Sequence, residues 1–249
     1  MTPESPRATV KDPAYLAFLE ERLPLLARHR VPWWRRSWRS KHDTLRYCLG
    51  RVPIDPNGLI AEFGVYQGTT IRMMARRFPD RQIYGFDSFE GFPEDGRKDW
   101  RQDFSTGGRL PEVPANVVLS KGFFEDTLPD FVAAHAGEHL ALLHIDCDLY
   151  SSTRTVFRHC APMIRPGCVV VFDELLHYPE CLDNEIAAFW EFLRDSGADF
   201  EWVATGGGVL PVSEYLAPSP RTRAFMNGMA GPRAAGYDPA VAVRIIAPR

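Results

Sequence analysis

The chain has 249 residues, of which 45% are hydrophobic and 24% charged, with a formal net charge of -3. This composition is typical of a globular protein and excludes a disordered chain or one that coats nucleic acid through an overall basic surface. The five cysteines are odd in number and include no Cys-x-x-Cys pair, so they favour neither a disulfide framework nor a zinc site, and a cytoplasmic location is predicted. The longest apolar runs are only strand-sized, so no membrane segment is expected.

The N-terminal segment is predicted to form a helical arm over residues 1–41, ahead of a main domain over residues 42–249. Leucines recur at helical spacing in residues 14–29 despite Pro24. Residues 28–41 then interleave tryptophans, among them Trp33 and Trp38, with arginines. Such interleaving also occurs where proteins contact nucleic acid or membranes. We favour packing on the main domain or on a second subunit, which predicts a homodimer with no nucleic-acid or membrane partner.

From Leu59 onward, strands and helices alternate, which predicts an α/β fold with a doubly wound, mostly parallel sheet. The predicted strands are residues 59–63, 82–87, 117–120, 140–146, 168–173, 200–205 and 241–246. The predicted helices between them are residues 69–78, 127–136, 152–163 and 183–195, the last with Asp183 as its N-cap. Two irregular segments, residues 92–114 and 206–239, are expected to shape substrate binding.

The first strand runs into a turn that suits a nucleoside ligand. Gly64 and Gly68 allow turn dihedrals and a close approach of ligand to the main chain, and a helix begins just after them. Asp87 ends the next strand, about twenty residues downstream, where an acid takes ribose hydroxyls in nucleoside-binding α/β folds. Glu62, two residues before Gly64, would face a cationic methionine end.

These residues favour S-adenosylmethionine as the ligand, but alternatives remain. The turn lacks the G-x-G-x-x-G fingerprint of nicotinamide-dependent oxidoreductases. An ordinary strand-turn-helix, or a noncatalytic protein that keeps the nucleoside site, would show the same glycines.

Acids end two later strands, at Asp146 and at Asp173-Glu174. If these strands are neighbours, the three carboxylates converge on one ion, and an all-oxygen site suits Mg²⁺. The same acids could instead cap helices or accept hydrogen bonds from substrate. Asp146 is the carboxylate expected to point inward.

Two histidines follow or precede these acids. His177, in the loop after Asp173, is predicted to be a general base for a hydroxyl nucleophile. His144, deeper in its strand, is expected to be structural. Trp100 and Phe104 are candidates for a lid that excludes water.

Several segments together resemble the macrocin O-methyltransferase family of class I S-adenosylmethionine-dependent methyltransferases. The matching residues are 62–68, 85–91, 121–129, 144–152 and 172–174. The resemblance implies a seven-stranded sheet whose last strand is antiparallel, a position that residues 241–246 would fill. It also implies an S-adenosylmethionine-dependent O-methyltransferase that acts on a hydroxyl of a sugar or polyhydroxylated natural product.

The resemblance further implies roles for individual residues. Glu62, Gly64 and Gly68 would surround the methionine moiety, with Tyr66 in the same turn, and Asp87 would bind the ribose. Ser88 and the Gly122-Phe123 turn would lie near adenine. In sugar-modifying members, acids that match Asp146, Asp173 and Glu174 hold Mg²⁺, although members with two aspartates differ from the Asp173-Glu174 pair here. A metal-independent methyltransferase remains the alternative within this class.

Overall fold

The structure is a computed structural model that describes residues 7–31, 42–94, 103–227 and 239–248. Its strands are β1 (Leu59–Phe63), β2 (Ile83–Asp87), β3 (Val117–Lys121), β4 (Leu140–Ile145), β5 (Ile164–Phe172), β6 (Asp199–Thr205) and β7 (Val241–Ile246). Its helices are α1 (Pro13–Leu26), α2 (Asp43–Arg51), α3 (Thr69–Arg77), α4 (Phe124–Ala134), α5 (Tyr150–Cys160), α6 (Glu185–Ser196), α7 (Val212–Leu216) and α8 (Pro220–Met226). None of the helices in these described ranges is long and apolar enough to cross a membrane.

All seven strands form one sheet in the order β3-β2-β1-β4-β5-β7-β6. The β1, β2, β3, β4 and β5 pairings are parallel, whereas β7 runs antiparallel to both β5 and β6. The predicted doubly wound α/β sheet is therefore confirmed, including its antiparallel last strand. Because the order reverses between β1 and β4, their carboxyl ends open a crevice at the edge of the sheet where α/β proteins bind ligands.

Side chains along the central strands alternate between two apolar cores, one on each face of the sheet. In β5, Cys168, Val170 and Phe172 pack into the core that also contains α4, α5 and α6, whereas Val169 and Val171 pack into the core beneath α2 and α3. This period of two follows from the pleat of a strand. It decides which face each functional side chain at the strand ends can reach.

The N-terminal helix α1 packs into the first of these cores rather than standing apart. Tyr15, Leu19, Leu23 and Leu26 are fully buried. Asp12 caps the helix, and Arg22 forms an ion pair with Asp199 at 2.9 Å. The predicted arm therefore contains a helix that completes the core of the main domain. Its tryptophans, Trp33, Trp34 and Trp38, lie outside the described residues.

Two local predictions were wrong. Asp183 does not cap α6, because it belongs to a short 3-10 turn over Cys181–Asp183 and Asn184 holds the cap position. The segment 206–239, predicted to be irregular, contains α7 and α8. Short helices such as these are set by tertiary packing more than by intrinsic propensity.

Candidate functional site

A cavity opens at the carboxyl ends of β1, β2, β3 and β4. The predicted residues that line it are Gly64, Tyr66, Asp87, Ser88, Gly122, Phe123 and Asp146. Residues distant in sequence thus share one cavity because parallel strands present their carboxyl ends at the same edge of the sheet. The ligand that these residues bind stays a prediction.

Asp87 organises the floor of this cavity. Its Oδ2 accepts hydrogen bonds from the backbone N–H groups of Val65 at 2.8 Å and Tyr66 at 2.7 Å, and its Oδ1 accepts one from Phe89 at 2.6 Å. A carboxylate has about four acceptor positions, so Asp87 can still accept hydroxyl donors from the cavity. Asp87 therefore holds the glycine turn in place and remains available to a ligand.

Gly64 lines the cavity, but its lack of a side chain is required by the protein itself. A Cβ at Gly64, where φ is +94°, would lie 1.8 Å from the backbone oxygen of Asp146. β1 and β4 are hydrogen-bonded neighbours, and the N–H of Asp146 donates to the oxygen of Phe63 at 2.8 Å. This pairing brings the two backbones close together at Gly64. Close approach of main chain to main chain, rather than of a cofactor, is the first reason for glycine here.

Two other predicted residues of this turn do not line the cavity. Gly68 adopts φ +76° at the start of α3, and a Cβ there would contact Arg72 and Pro111. Glu62 is fully buried, and its Oε1 lies 2.8 Å from Nδ1 of His144. Glu62 contacts a neighbouring strand because Glu62 and His144 are paired in register across β1 and β4. A role of Glu62 at the methionine end stays a prediction.

The opposite wall of the cavity is aromatic. Phe123, just before α4, is 39% exposed and faces the cavity beside Gly122. Phe104 packs edge-on against Tyr66 at 5.4 Å and against Phe92 at 5.5 Å between ring centroids. Aromatic faces of this kind suit a planar base or the apolar face of a sugar. Phe104 was predicted as part of a lid; Trp100 lies outside the described residues.

The carboxyl ends of β4 and β5 bring together His144, Asp146 and Asp173. One ligand atom of each lies within 4.8 Å of those of the other two, and His144 and Asp173 are buried. Asp173 also lies near His42, with Nδ1 of the imidazole 3.4 Å from its Oδ1. The donor set includes two hard carboxylates, so the residues fit a divalent cation.

Glu174, the predicted third ligand, is not part of this group. His144 pairs in register with Val171 of β5, and the ladder continues with the N–H of Asp173 donating to the oxygen of Ile145 at 2.9 Å. Asp173 and Glu174 both follow the end of β5, and of the two only Asp173 has a ligand atom within 4.8 Å of those of His144 and Asp146. The sequence signal for His144 was present, since it alternates with Asp146.

His177, the predicted base, also does not line the cavity. Its ring is fully buried, with Nδ1 3.1 Å from the hydroxyl of Tyr215 and Phe225 packed edge-on. Burial lowers the pKa of His177 to about 4. The loop after β5 turns this side chain inward, so the structure gives it the features of a neutral core histidine.

Behind the cavity lies a buried carboxyl that the sequence did not single out. Glu185, at the start of α6, accepts a hydrogen bond from Thr153 at 3.1 Å. Burial raises the pKa of Glu185 well above its usual range, and the nearby charges of Asp148 and Glu174 raise it further. Burial likewise raises the pKa of Cys147, which lines the cavity as a neutral thiol. Burial and the nearby acids therefore favour the neutral, protonated form of Glu185.

Sequence reasoning also missed the role of the residues after Asp146 in shaping the cavity. Asp148 lines it with φ +64°, a left-handed conformation that is costly for a residue other than glycine. Its backbone oxygen accepts a hydrogen bond from Nδ2 of Asn184 at 2.9 Å. The side chain at the N-cap position of α6 therefore fixes the loop at the end of β4.

The strand order, the antiparallel last strand and the crevice at the β1 and β4 ends define the class I methyltransferase fold. The structure of the O-methyltransferase NovP shares this fold, with a TM-score of 0.52 at 20% identity over 94% of this chain and 100% of that one. Residues 61–175 match the family described as Methyltransferase domain. The chain therefore has the fold of the class I methyltransferases.

Two curated relatives are similar in sequence. An 8-demethyl-8-(2,3-dimethoxy-alpha-L-rhamnosyl)-tetracenomycin-C 4'-O-methyltransferase of Streptomyces olivaceus is 33% identical over 53% of this chain and 59% of the relative. A demethyldecarbamoylnovobiocin O-methyltransferase of Streptomyces niveus is 29% identical over 57% of this chain and 62% of the relative. The matches thus span less than two thirds of either relative.

Proposed function

We propose that this protein transfers a methyl group from S-adenosylmethionine to a hydroxyl of a sugar or other polyhydroxylated natural product, with the help of a divalent cation. The observation that carries the proposal is one cavity that joins Asp87, the Gly122-Phe123 turn and Asp146. The first two suit a nucleoside, and the third suits an acceptor hydroxyl. The names of both curated relatives specify O-methylation of such compounds.

The donor half of the cavity fits an adenosyl group chemically. Asp87 has acceptor capacity for ribose hydroxyls, and Phe123 presents an exposed aromatic face to a planar base. Tyr66 and Phe104 pack against each other in the wall of the cavity, and their rings would help to exclude water from the reacting groups once ligands are bound.

The acceptor half would align an oxygen opposite the leaving sulfur and remove its proton. Asp146 lines the cavity, so it is the proposed group that orients the hydroxyl and accepts the proton or passes it on. A divalent cation held by Asp146 and Asp173 would lower the pKa of a bound hydroxyl. Mg²⁺ is the cation that the sequence predicts there.

The partners proposed for this protein are its small-molecule acceptor and a second copy of the chain. The homodimer was predicted from the tryptophan-rich stretch, which lies outside the described residues. A solution mass of one chain, 28.2 kDa, measured by light scattering would contradict it.

Calorimetric titration tests the donor site. We expect binding of S-adenosylmethionine and S-adenosylhomocysteine but not of NAD, and we expect Asp87→Asn to weaken S-adenosylmethionine binding about tenfold or more by removing acceptors of hydroxyl and amide donors. Asp80→Asn is the control, because Asp80 is exposed in the turn after α3. Preference for NAD would favour an oxidoreductase, and no binding of any of the three would favour a noncatalytic protein.

A further inference from the structure

His144 stands between a buried carboxylate and the acids at the strand ends. Its Nδ1 lies 2.8 Å from Oε1 of Glu62, and both side chains are fully buried. Its Nε2 is buried and has no hydrogen-bond partner among the described residues. Leaving a buried polar atom without a partner costs free energy, so this nitrogen requires an explanation.

The contact with Glu62 assigns the tautomer of His144. A carboxylate accepts, so Nδ1 carries the proton and Nε2 presents its lone pair. A carboxylate that orients the far nitrogen of an imidazole is the usual support of a metal-bound histidine.

His144 also lies close enough to two acids to share a metal ion with them. A ring nitrogen of His144 and carboxylate oxygens of Asp146 and Asp173 lie within 4.8 Å of one another. Ligands about 2.0–2.2 Å from a common ion are separated by no more than about 4.4 Å, so a shift of a few tenths of an ångström would bring these three atoms around one ion. With Glu62 behind the imidazole, three carboxylates surround this point, which favours a cation.

We propose that Nε2 of His144 is a metal ligand alongside Asp146 and Asp173, and that the site prefers a first-row transition-metal ion over Mg²⁺. Imidazole nitrogen is a good ligand for these softer ions, whereas Mg²⁺ favours an all-oxygen shell. The inference deepens the proposed function, and rests on it only for what the ion does to the acceptor hydroxyl. It replaces both Glu174 as third ligand and Mg²⁺ as the preferred ion.

The test uses Mn²⁺ as a paramagnetic probe bound to the protein. Electron spin echo modulation is expected to show coupling to an imidazole ¹⁴N in the wild type. His144→Gln is expected to abolish that coupling. The matched control is His42→Gln, which removes the other imidazole near Asp173 and is expected to leave the coupling intact.

Calorimetry supplies the affinities. Mn²⁺ is expected to bind the wild type about tenfold or more tightly than Mg²⁺. Glu62→Gln, which keeps the size of the side chain, is expected to weaken Mn²⁺ binding about 10- to 100-fold while the ¹⁴N coupling persists.

Bound Mn²⁺ without ¹⁴N coupling in the wild type would overturn the proposal, and so would loss of the coupling in His42→Gln. Failure to bind Mn²⁺, or equal affinity for Mn²⁺ and Mg²⁺, would also overturn it. Each of these readings is independent of whether His144→Gln folds. Binding of S-adenosylmethionine to the same samples reports separately on the proposed methyl transfer.

Discussion

His177 illustrates at the residue scale how burial decides the chemistry of a side chain. It follows an acidic strand end, which is where a base for a hydroxyl is expected, but its ring lies against Tyr215 and Phe225. An imidazole removed from water disfavours its charged form. This residue therefore affects the pH dependence of stability rather than the cavity.

We predict that the wild type loses stability relative to His177→Asn as the pH falls from about 6.5 to about 4. The pKa of His177 in the folded state is about 4, below the ordinary value of 6.5, so the unfolded state binds a proton first as the pH falls. At about 1.4 kcal/mol per pH unit, the loss approaches about 3 kcal/mol, fully developed near pH 4. Above pH 6.5 this contribution to stability is complete.

The measurement is urea unfolding of both proteins at several pH values. Asparagine is the chosen replacement because it does not titrate and tolerates the φ of 71° at this position. Parallel stability curves for the two proteins across this range would show that His177 is protonated equally in the folded and unfolded states, contrary to the prediction.

At the scale of elements, the β1-α3 turn is fixed by the neighbouring strand as much as by its own sequence. Gly64 donates its N–H to the oxygen of Phe86 in β2 at 2.9 Å, while its α-carbon faces the backbone of Asp146 after β4. The turn therefore depends on the β1, β2 and β4 ends together. Replacing Gly64 would therefore affect both the donor half and the acceptor half of the cavity.

Gly64→Ala is predicted to be much more destabilising than Gly137→Ala. The two glycines have similar φ values, +94° and +91°, but a Cβ at Gly137 meets nothing within 4 Å. The backbone conformation alone costs about 1–2 kcal/mol, which both variants share. Gly64→Ala adds the clash with the Asp146 oxygen, so the ends of β1 and β4 must separate.

Thermal unfolding and calorimetry with S-adenosylmethionine would check both variants. We expect Gly137→Ala to keep wild-type affinity and Gly64→Ala to lose both stability and affinity. Equal melting temperatures for the two variants would mean that the approach of the two strand ends is not as close as the structure has it.

At the scale of the whole molecule, α1 joins the N-terminal segment to the far edge of the sheet. Phe18 packs against Phe200 of β6 at 6.1 Å, and Tyr15 packs against Trp190 of α6 at 5.2 Å. Nε1 of Trp202 donates to the backbone oxygen of Arg22 at 2.8 Å. The helix thus covers a sheet edge and part of one core, so the domain depends on it for stability.

Truncation of a buried leucine in α1 should reveal this dependence. Leu23→Ala is predicted to lower the free energy of unfolding by about 2–5 kcal/mol, because Leu23 is fully buried in the core. Leu25→Ala, in the same helix at 41% exposure, should change it by less than about 0.5 kcal/mol. Denaturant titration measures both, and a small effect for Leu23→Ala would mean that α1 is detached in solution.

The accuracy of the sequence predictions depended on how local each signal was. Asp87 was placed at the cavity because it ends its own strand, whereas the Gly122-Phe123 turn was placed there by the family resemblance. Gly64 was selected for a ligand contact, whereas the structure requires it for contact with a strand about eighty residues away. His144 lies with Asp146 and Asp173, and Glu174 does not belong to that group; which strand-end side chains meet depends on the register of β4 against β1 and β5.

The sequence alone determined the alternation of strands and helices from β1 to β6, the parallel sheet and the edge at which polar side chains gather, because these follow from apolar periodicity and turn residues. Only the tertiary structure decided which of those side chains share a face of the sheet, which are buried and which form hydrogen bonds with one another. Register and burial arise from contacts between segments far apart in the chain, so no local pattern specifies them. His144, held by Glu62 beside Asp146 and Asp173, is the clearest result of that difference.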